Sequence, residues 1–289
     1  MLSKYSSKIF FLDMFIYISI IILLPRVKIL LLIPLIIIQG IISYRLTFIL
    51  HDCSHNSLFK RRKYNIILGN IIAAILFSTF SSFKKDHSYH HKYLWEKKDP
   101  QLDDYNNVSF NLKSIYIHLI KPLLLFNLIT KLLKVLKGTN YYLNKWGRTR
   151  KRKNILIEPI LQYIYIIFIQ FLIFILVSGG GSKIWILPLY LTISTSIVLF
   201  LSRLRGYLEH GPISNDEFNK IIVRSHNPGF LGNIFLSNLW FSYHYEHHQK
   251  PNLKSQYLKN INLKNKLENE RPSSSYLATF AKLNLNLTN

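Results

Sequence analysis

The chain has 289 residues, 49% of them hydrophobic, and a formal net charge of +23. Apolar runs approaching about 20 residues, the length that spans a bilayer, exclude an ordinary soluble basic protein and make nucleic acid a poor explanation of the charge. A single cysteine, Cys53, excludes an internal disulfide framework.

Residues 1–8 are polar, and a first span follows from about Ile9 to Leu24, with Asp13 near its start. No small-residue cleavage site follows it, so it reads as a first anchor rather than a removable signal. After a turn at Pro25–Lys28, a second span runs from Ile29 to about Leu50 and delivers His51 and His55 just past its apolar length. Arg45, near that end, is predicted to snorkel. Ile66–Phe83 is apolar, and its length of about 18 residues alone would make it a span. The long polar stretch 92–154 contains Ile115–Leu136, apolar on one face and interrupted by Lys121, Lys131 and Lys134, which predicts a helix in the membrane interface. His118 falls there without a partner and is read as structural. Two more spans, Ile155–Val177 and Ile184–Leu201, are joined by a glycine run at 178–183 that reads as a flexible hairpin. Glu158 and Gln162 at the start of the first of these are interfacial or line an interior path. Residues 252–289 read as polar with only weak helical patterning, which gives one domain, 1–289, with a core at about 9–255 and a tail at 256–289.

Eight of the eleven histidines fall in three clusters: His51 and His55 as H-x-x-x-H, and His87, His90, His91 and His244, His247, His248, each as H-x-x-H-H. On a helix, positions i, i+3 and i+4 share one face, so each cluster can aim its imidazoles at a single point. Imidazole binds transition metals without adding charge. Three convergent clusters offer more nitrogens than one tetrahedral metal uses, which predicts a two-metal centre. A single crossing between the first two clusters would separate them across the bilayer. Ile66–Phe83 is therefore predicted to be re-entrant, interfacial or buried in the bundle.

About four transmembrane helices remain, with interfacial or re-entrant helices beside them, in an all-α integral membrane protein. The two turns on the far side hold only Arg26, Lys28 and Lys183, while patches such as Lys60–Lys63 and Arg148–Lys153 lie on the histidine side. The positive-inside rule then places the histidines and both termini in the cytoplasm of a multi-pass protein. A histidine-lined metal transporter would need polar groups at the span centres, where this sequence is almost purely Ile, Leu and Phe.

The clusters sit in wider motifs: His51-Asp52-x-x-His55-x-Ser57-Leu58-Phe59, then Asn65 and Gly69; His87-x-x-His90-His91 before Asp99-Pro100; Arg205-x-x-x-Glu209-His210; and Tyr243-His244-x-Glu246-His247-His248 before Pro251. Over roughly residues 45–255 the chain resembles the membrane-bound fatty acid desaturase and hydroxylase superfamily, which uses non-haem di-iron and three histidine boxes. The resemblance implies that His51, His55, His87, His90, His91, His244, His247 and His248 ligate two iron ions. His210 looks like the additional ligand between the second and third boxes, whereas His226 lacks its context. Asp52, Asp99, Glu209 and Glu246 are then placed to accept histidine N–H groups. No catalytic residue separate from the metal centre is implied.

By the same resemblance, O2 is the co-substrate and hydrogen is taken from an unactivated C–H bond in a lipid acyl chain, as part of fatty acid biosynthesis and lipid metabolism. Loss of a second hydrogen gives a double bond, and gain of oxygen gives an alcohol. Desaturation is the preferred reading, with carotenoid or lipid hydroxylases and ketolases as the alternative. No His-Pro-Gly-Gly haem motif occurs, so electrons are expected from a separate ferredoxin or cytochrome b5.

Overall fold

The structure is a computed structural model that describes residues 4–105, 111–123, 157–214, 217, 221–238, 241–267 and 274–288. Among them every regular element is helical: α1 (Lys4–Leu23), α2 (Ile29–Ser54), α3 (Arg62–Ile75), α4 (Phe80–Tyr93), α5 (Leu112–Ile120), α6 (Ile157–Val177), α7 (Ile186–His210), α8 (Gly229–Phe235), α9 (His244–Gln249), α10 (Leu258–Leu267) and α11 (Tyr276–Thr288).

The frame is the pair α2 and α7, which pack together more extensively than any other two helices. Gly40 permits it: a Cβ there would lie 2.9 Å from the Ile197 Cβ. Small residues at such contacts matter in lipid, where close packing rather than exclusion of water drives association. α2 and α7 are also the two described helices long and apolar enough to cross a membrane. In α6 the described apolar part, Gln162–Val177, is shorter. Phe11 and Phe15 of α1 and Ile167, Phe168 and Phe171 of α6 are exposed, as residues facing acyl chains would be.

The apolar run at 66–83 breaks. α3 and α4 meet at 99° across a gap at residues 76–79. Phe77 has φ +55°, and Thr79 accepts from the Ser82 amide to start α4. A broken helix inside a bundle leaves carbonyls that must find donors. Gln170 of α6 donates to the Ala74 and Ile75 carbonyls at 2.6 and 3.1 Å, and Ser81 donates to Gln162 at 2.7 Å. Gly69 leaves room for the Phe80 ring, whose nearest atom would be 2.5 Å from an added Cβ. Asn65 pins the incoming loop through the Phe59 amide and carbonyl. The two ends of the segment meet, because His55 and His87 approach to 2.8 Å. It thus leaves and returns at the same end of α2.

Several expectations change. Arg45 does not snorkel but donates to the buried Asp13 of α1 at 3.0 Å and to the Asn233 and Ile234 carbonyls in the last turn of α8. The bundle interior is less uniformly apolar than its sequence implies: Tyr17 and Tyr190 hydroxyls pair at 3.1 Å near the fully buried Gln39. The glycine run is a defined turn, in which Ser178 Oγ accepts from the Gly181 amide and the Ser178 carbonyl from the Lys183 amide. Of the residues beyond 255, the described α10 and α11 pack onto the bundle, Asn262 donating to Glu246 and Tyr276 to Glu209. The predicted interfacial helix at 115–136 begins as α5, and its part from 124 onward lies outside the described residues.

Candidate metal centre

The nine predicted histidines converge as two groups. His51, His55, His87, His91 and His247 form one, and His90, His210, His244 and His248 form the other, with the candidate ligand atoms of each group within 4.8 Å of one another. Each H-x-x-H-H box divides between the groups rather than aiming at a single point. In α4, His87 and His91 (i, i+4) join the five-histidine group and His90 the other. In α9, His244 and His248 join the four-histidine group and His247 crosses to the five. α2 adds His51 and His55, and α7 adds His210 from its last turn. The i+3 histidine of each box thereby links two sites, which lie side by side with the His91 and His248 rings 4.3 Å apart.

The Nε2 atoms crowd inward. In the first group the separations are 2.8 Å (His55–His87), 3.0 Å (His87–His91), 2.9 Å (His91–His247) and 3.0 Å (His51–His247). In the second they are 2.8 Å (His210–His244) and 3.1 Å (His244–His248). Two nitrogens bound to one metal at about 2.1 Å and about 90° apart lie about 3.0 Å from each other, whereas a tetrahedral angle spreads them to about 3.4 Å. The donor set fits a metal ion with more than four positions better than a tetrahedral one. Burial lowers the histidine pKa to about 4 at His55, where the Lys84 charge adds to it, and to about 3 at His91, and holds His244, His247 and His248 well below the ordinary value, neighbouring imidazoles adding to the effect at these four. Neutral rings with free lone pairs are what ligation requires.

Outer partners set the tautomers of His90 and His210 in the four-histidine group. His90 Nδ1 lies 3.1 Å from both Asp99 oxygens and donates to them. Asp99 also accepts from the Gln101 amide and the Tyr105 hydroxyl; against the opposing cost of burial, these donors hold its carboxyl below the usual range. His210 Nδ1 donates to the Ile222 carbonyl at 2.9 Å, which leaves Nε2 as its lone-pair atom. His244 Nδ1 lies 3.4 Å from the Arg205 Nη2 donor and 3.5 Å from Glu209, which accepts from Arg205 Nε at 2.8 Å and from Tyr276 at 2.9 Å. The Arg205 guanidinium lies over the Phe48 ring, 4.9 Å from its centroid.

Two of the four carboxylates have other partners. Asp52 is 3.8 Å from His51 Nδ1, too far for a hydrogen bond, and accepts from Ser255 at 3.0 Å. Glu246 accepts from Ser225 and, at 2.7 Å, from Asn262, fastening α9 to the loop before α8 and to α10. His226 joins neither metal group; it stacks on Tyr276 at 4.1 Å between the Leu208 and Ser274 carbonyls. His118 bonds the Asp104 carbonyl at 2.8 Å. Sequence reasoning missed Tyr105, Ser225, Ser255, Asn262 and Tyr276, whose single polar atoms carry no pattern of their own.

A family model described as fatty acid desaturase matches residues 28–276. The chain belongs to the fatty acid desaturase family. Among curated relatives of this desaturase-family chain, a dihydrorhizobitoxine desaturase of Bradyrhizobium elkanii is 29% identical over 229 residues, 72% of this chain and 60% of the relative. A fatty acid desaturase of Bacillus subtilis (strain 168) is 38% identical over 47 residues, 16% of this chain and 13% of that protein. The match thus spans less than two thirds of either relative's length. No solved structure matches. To that family membership the structure adds two described helices long and apolar enough to cross a membrane and two histidine groups able to hold metal.

Proposed function

We propose that this protein introduces a double bond into a fatty acyl chain, using O2 and two non-haem iron ions held by the nine histidines. The observation that carries the reading is the division of nine histidines into two adjacent groups, the candidate ligand atoms of each lying within 4.8 Å of one another. An unactivated C–H bond lies beyond ordinary acid–base side chains, and the iron pair, when bound, supplies the oxidising power. The chain's own residues set the frame: Asp99 and the Ile222 carbonyl orient His90 and His210, and Arg205 with Tyr276 holds Glu209 beside His244. Electrons come from a separate donor such as a ferredoxin or cytochrome b5. Four crossings by α1, α2, α6 and α7, with the histidines on the cytoplasmic side, agree with the distribution of Lys and Arg. One relative is named for dihydrorhizobitoxine rather than for a fatty acid, so substrate class is part of the test.

Lipids and pigments are profiled by mass spectrometry in cells that express the chain, a ferredoxin and carotenoid. His247→Ala, which removes a histidine shared between box three and the five-histidine group, is the control. An acyl product two mass units lighter, absent in the variant, is expected. A product gaining one oxygen moves the assignment to a hydroxylase. Identical pools with and without His247 overturn the proposal.

A further inference from the structure

At the end of α2 and α7 opposite the histidines lies a cavity that the metal centre does not use. The turn between α1 and α2 and the turn between α6 and α7 enclose about 420 Å³. Arg26, Lys28 and Lys183 line it, Trp185 stands beside them, and the buried Leu24, Leu32 and Ile186 lie underneath. α2 and α7 both run from this cavity toward the metal centre, and their 26 and 25 residues put the two about 35 Å apart.

The cavity is built rather than incidental. Gly179, at φ +60°, lies so close to Pro25 that a Cβ would approach the proline Cβ to 2.9 Å, so the two turns are packed together. The Ser178 carbonyl holds the Lys183 amide at 2.8 Å, fixing the backbone that carries this cation. Residues 24–28 and 178–185 contain no Asp or Glu, and all three of their basic residues line the one cavity. Arg26 also donates to the Ile22 carbonyl, and with no acidic residue in either turn an anion in the cavity is favoured by all three cations. Arg and Lys are the side chains suited to phosphate oxygens. The tryptophan and the apolar residues beneath match an amphiphile at the membrane boundary, as do the exposed Ile29 and Leu30 at the cavity's edge.

We infer that this cavity binds the phosphate headgroup of an anionic phospholipid, bound as a resident lipid and remote from the oxidised substrate. Each cation near a charged headgroup contributes about fivefold to binding, so removal of all three weakens it on the order of a hundredfold.

The test is thermal unfolding of the full-length protein in detergent, titrated with phosphatidylglycerol, phosphatidylcholine or inorganic phosphate. Four proteins are compared: wild type, R26Q/K28Q/K183Q, the charge-keeping K28R/K183R, and K97Q/K98Q at the histidine end. Phosphatidylglycerol is expected to raise the melting temperature of wild type, K28R/K183R and K97Q/K98Q at similar concentrations. R26Q/K28Q/K183Q should need on the order of a hundredfold more. If that triple variant does not fold, Lys183→Gln alone should show about a fivefold weakening. Equal responses of wild type and of R26Q/K28Q/K183Q, or of Lys183→Gln where the triple variant does not fold, overturn the site. An equal shift from phosphatidylcholine overturns the preference for an anionic lipid, and one from inorganic phosphate alone overturns the lipid as its source.

Discussion

The four-histidine and five-histidine groups use the same ligand type and share two helices, yet their surroundings differ. In the four-histidine group three of four members are buried, and His90, His210 and His244 each have an Nδ1 partner in Asp99, the Ile222 carbonyl and the Arg205–Glu209 pair. In the five-histidine group only two of five are buried, and the Nδ1 atoms of His51 and His91 have no hydrogen-bond partner among the described residues. Two rings of the four-histidine group, His90 and His210, thus have their tautomers set by acceptors within the protein, while the other group offers an extra nitrogen. Preorganisation and ligand number are alternative ways to hold a metal, and adjacent sites here use different ones.

The largest effect should come from His210→Ala, which removes one of only four ligands. Metal content is expected to fall from two ions per chain to one, with desaturation below detection. Two retained ions, measured by elemental analysis of the purified protein, would break the comparison. Asp99→Asn acts more gently, because it takes the carboxylate from His90 and leaves every histidine in place. Metal affinity of the four-histidine group should drop about 10–100-fold with the five-histidine group unchanged. Equal weakening of both groups in a metal titration would mean that Asp99 supports the fold rather than one site.

Acid should have the smallest effect in the pH range just below neutrality. In metal-free protein the pKa values of His55 and His91 are lowered from 6.5 to about 4 and about 3. The unfolded chain then binds more protons than the folded one between those values, so stability is complete above about pH 6.5 and declines as pH falls toward 3–4. Bound metal adds to the sensitivity, because protons compete for the same lone pairs. Melting temperatures of the metal-free protein at pH 8, 6, 5 and 4 should decrease in that order from pH 6 downward. A flat profile would mean that these rings are already solvated.

Much of the centre was legible because helical periodicity is a local property. The spacing of the three boxes put imidazoles on single faces, and the requirement that the boxes meet forbade Ile66–Phe83 from crossing between them. The family context placed His210 beside them and set His226 aside. Spacing could not tell which metal each ring would approach, since i, i+3 and i+4 lie on one face while two sites sit beneath it. The contacts of α10 and α11 were not legible for a related reason. Asn262, Tyr276 and Thr279 look like ordinary polar residues until they lie against Glu246, Glu209 and His226.

The sequence alone determined the apolar spans, the asymmetry of basic charge and the three ligand clusters, because each is written in the order of neighbouring side chains. Tertiary structure alone decided how each box divides between two sites, which carboxylates reach a histidine, and that Arg26, Lys28 and Lys183 share one cavity. Those outcomes depend on contacts between residues far apart in the chain, where a shift of an ångström or two changes the partner.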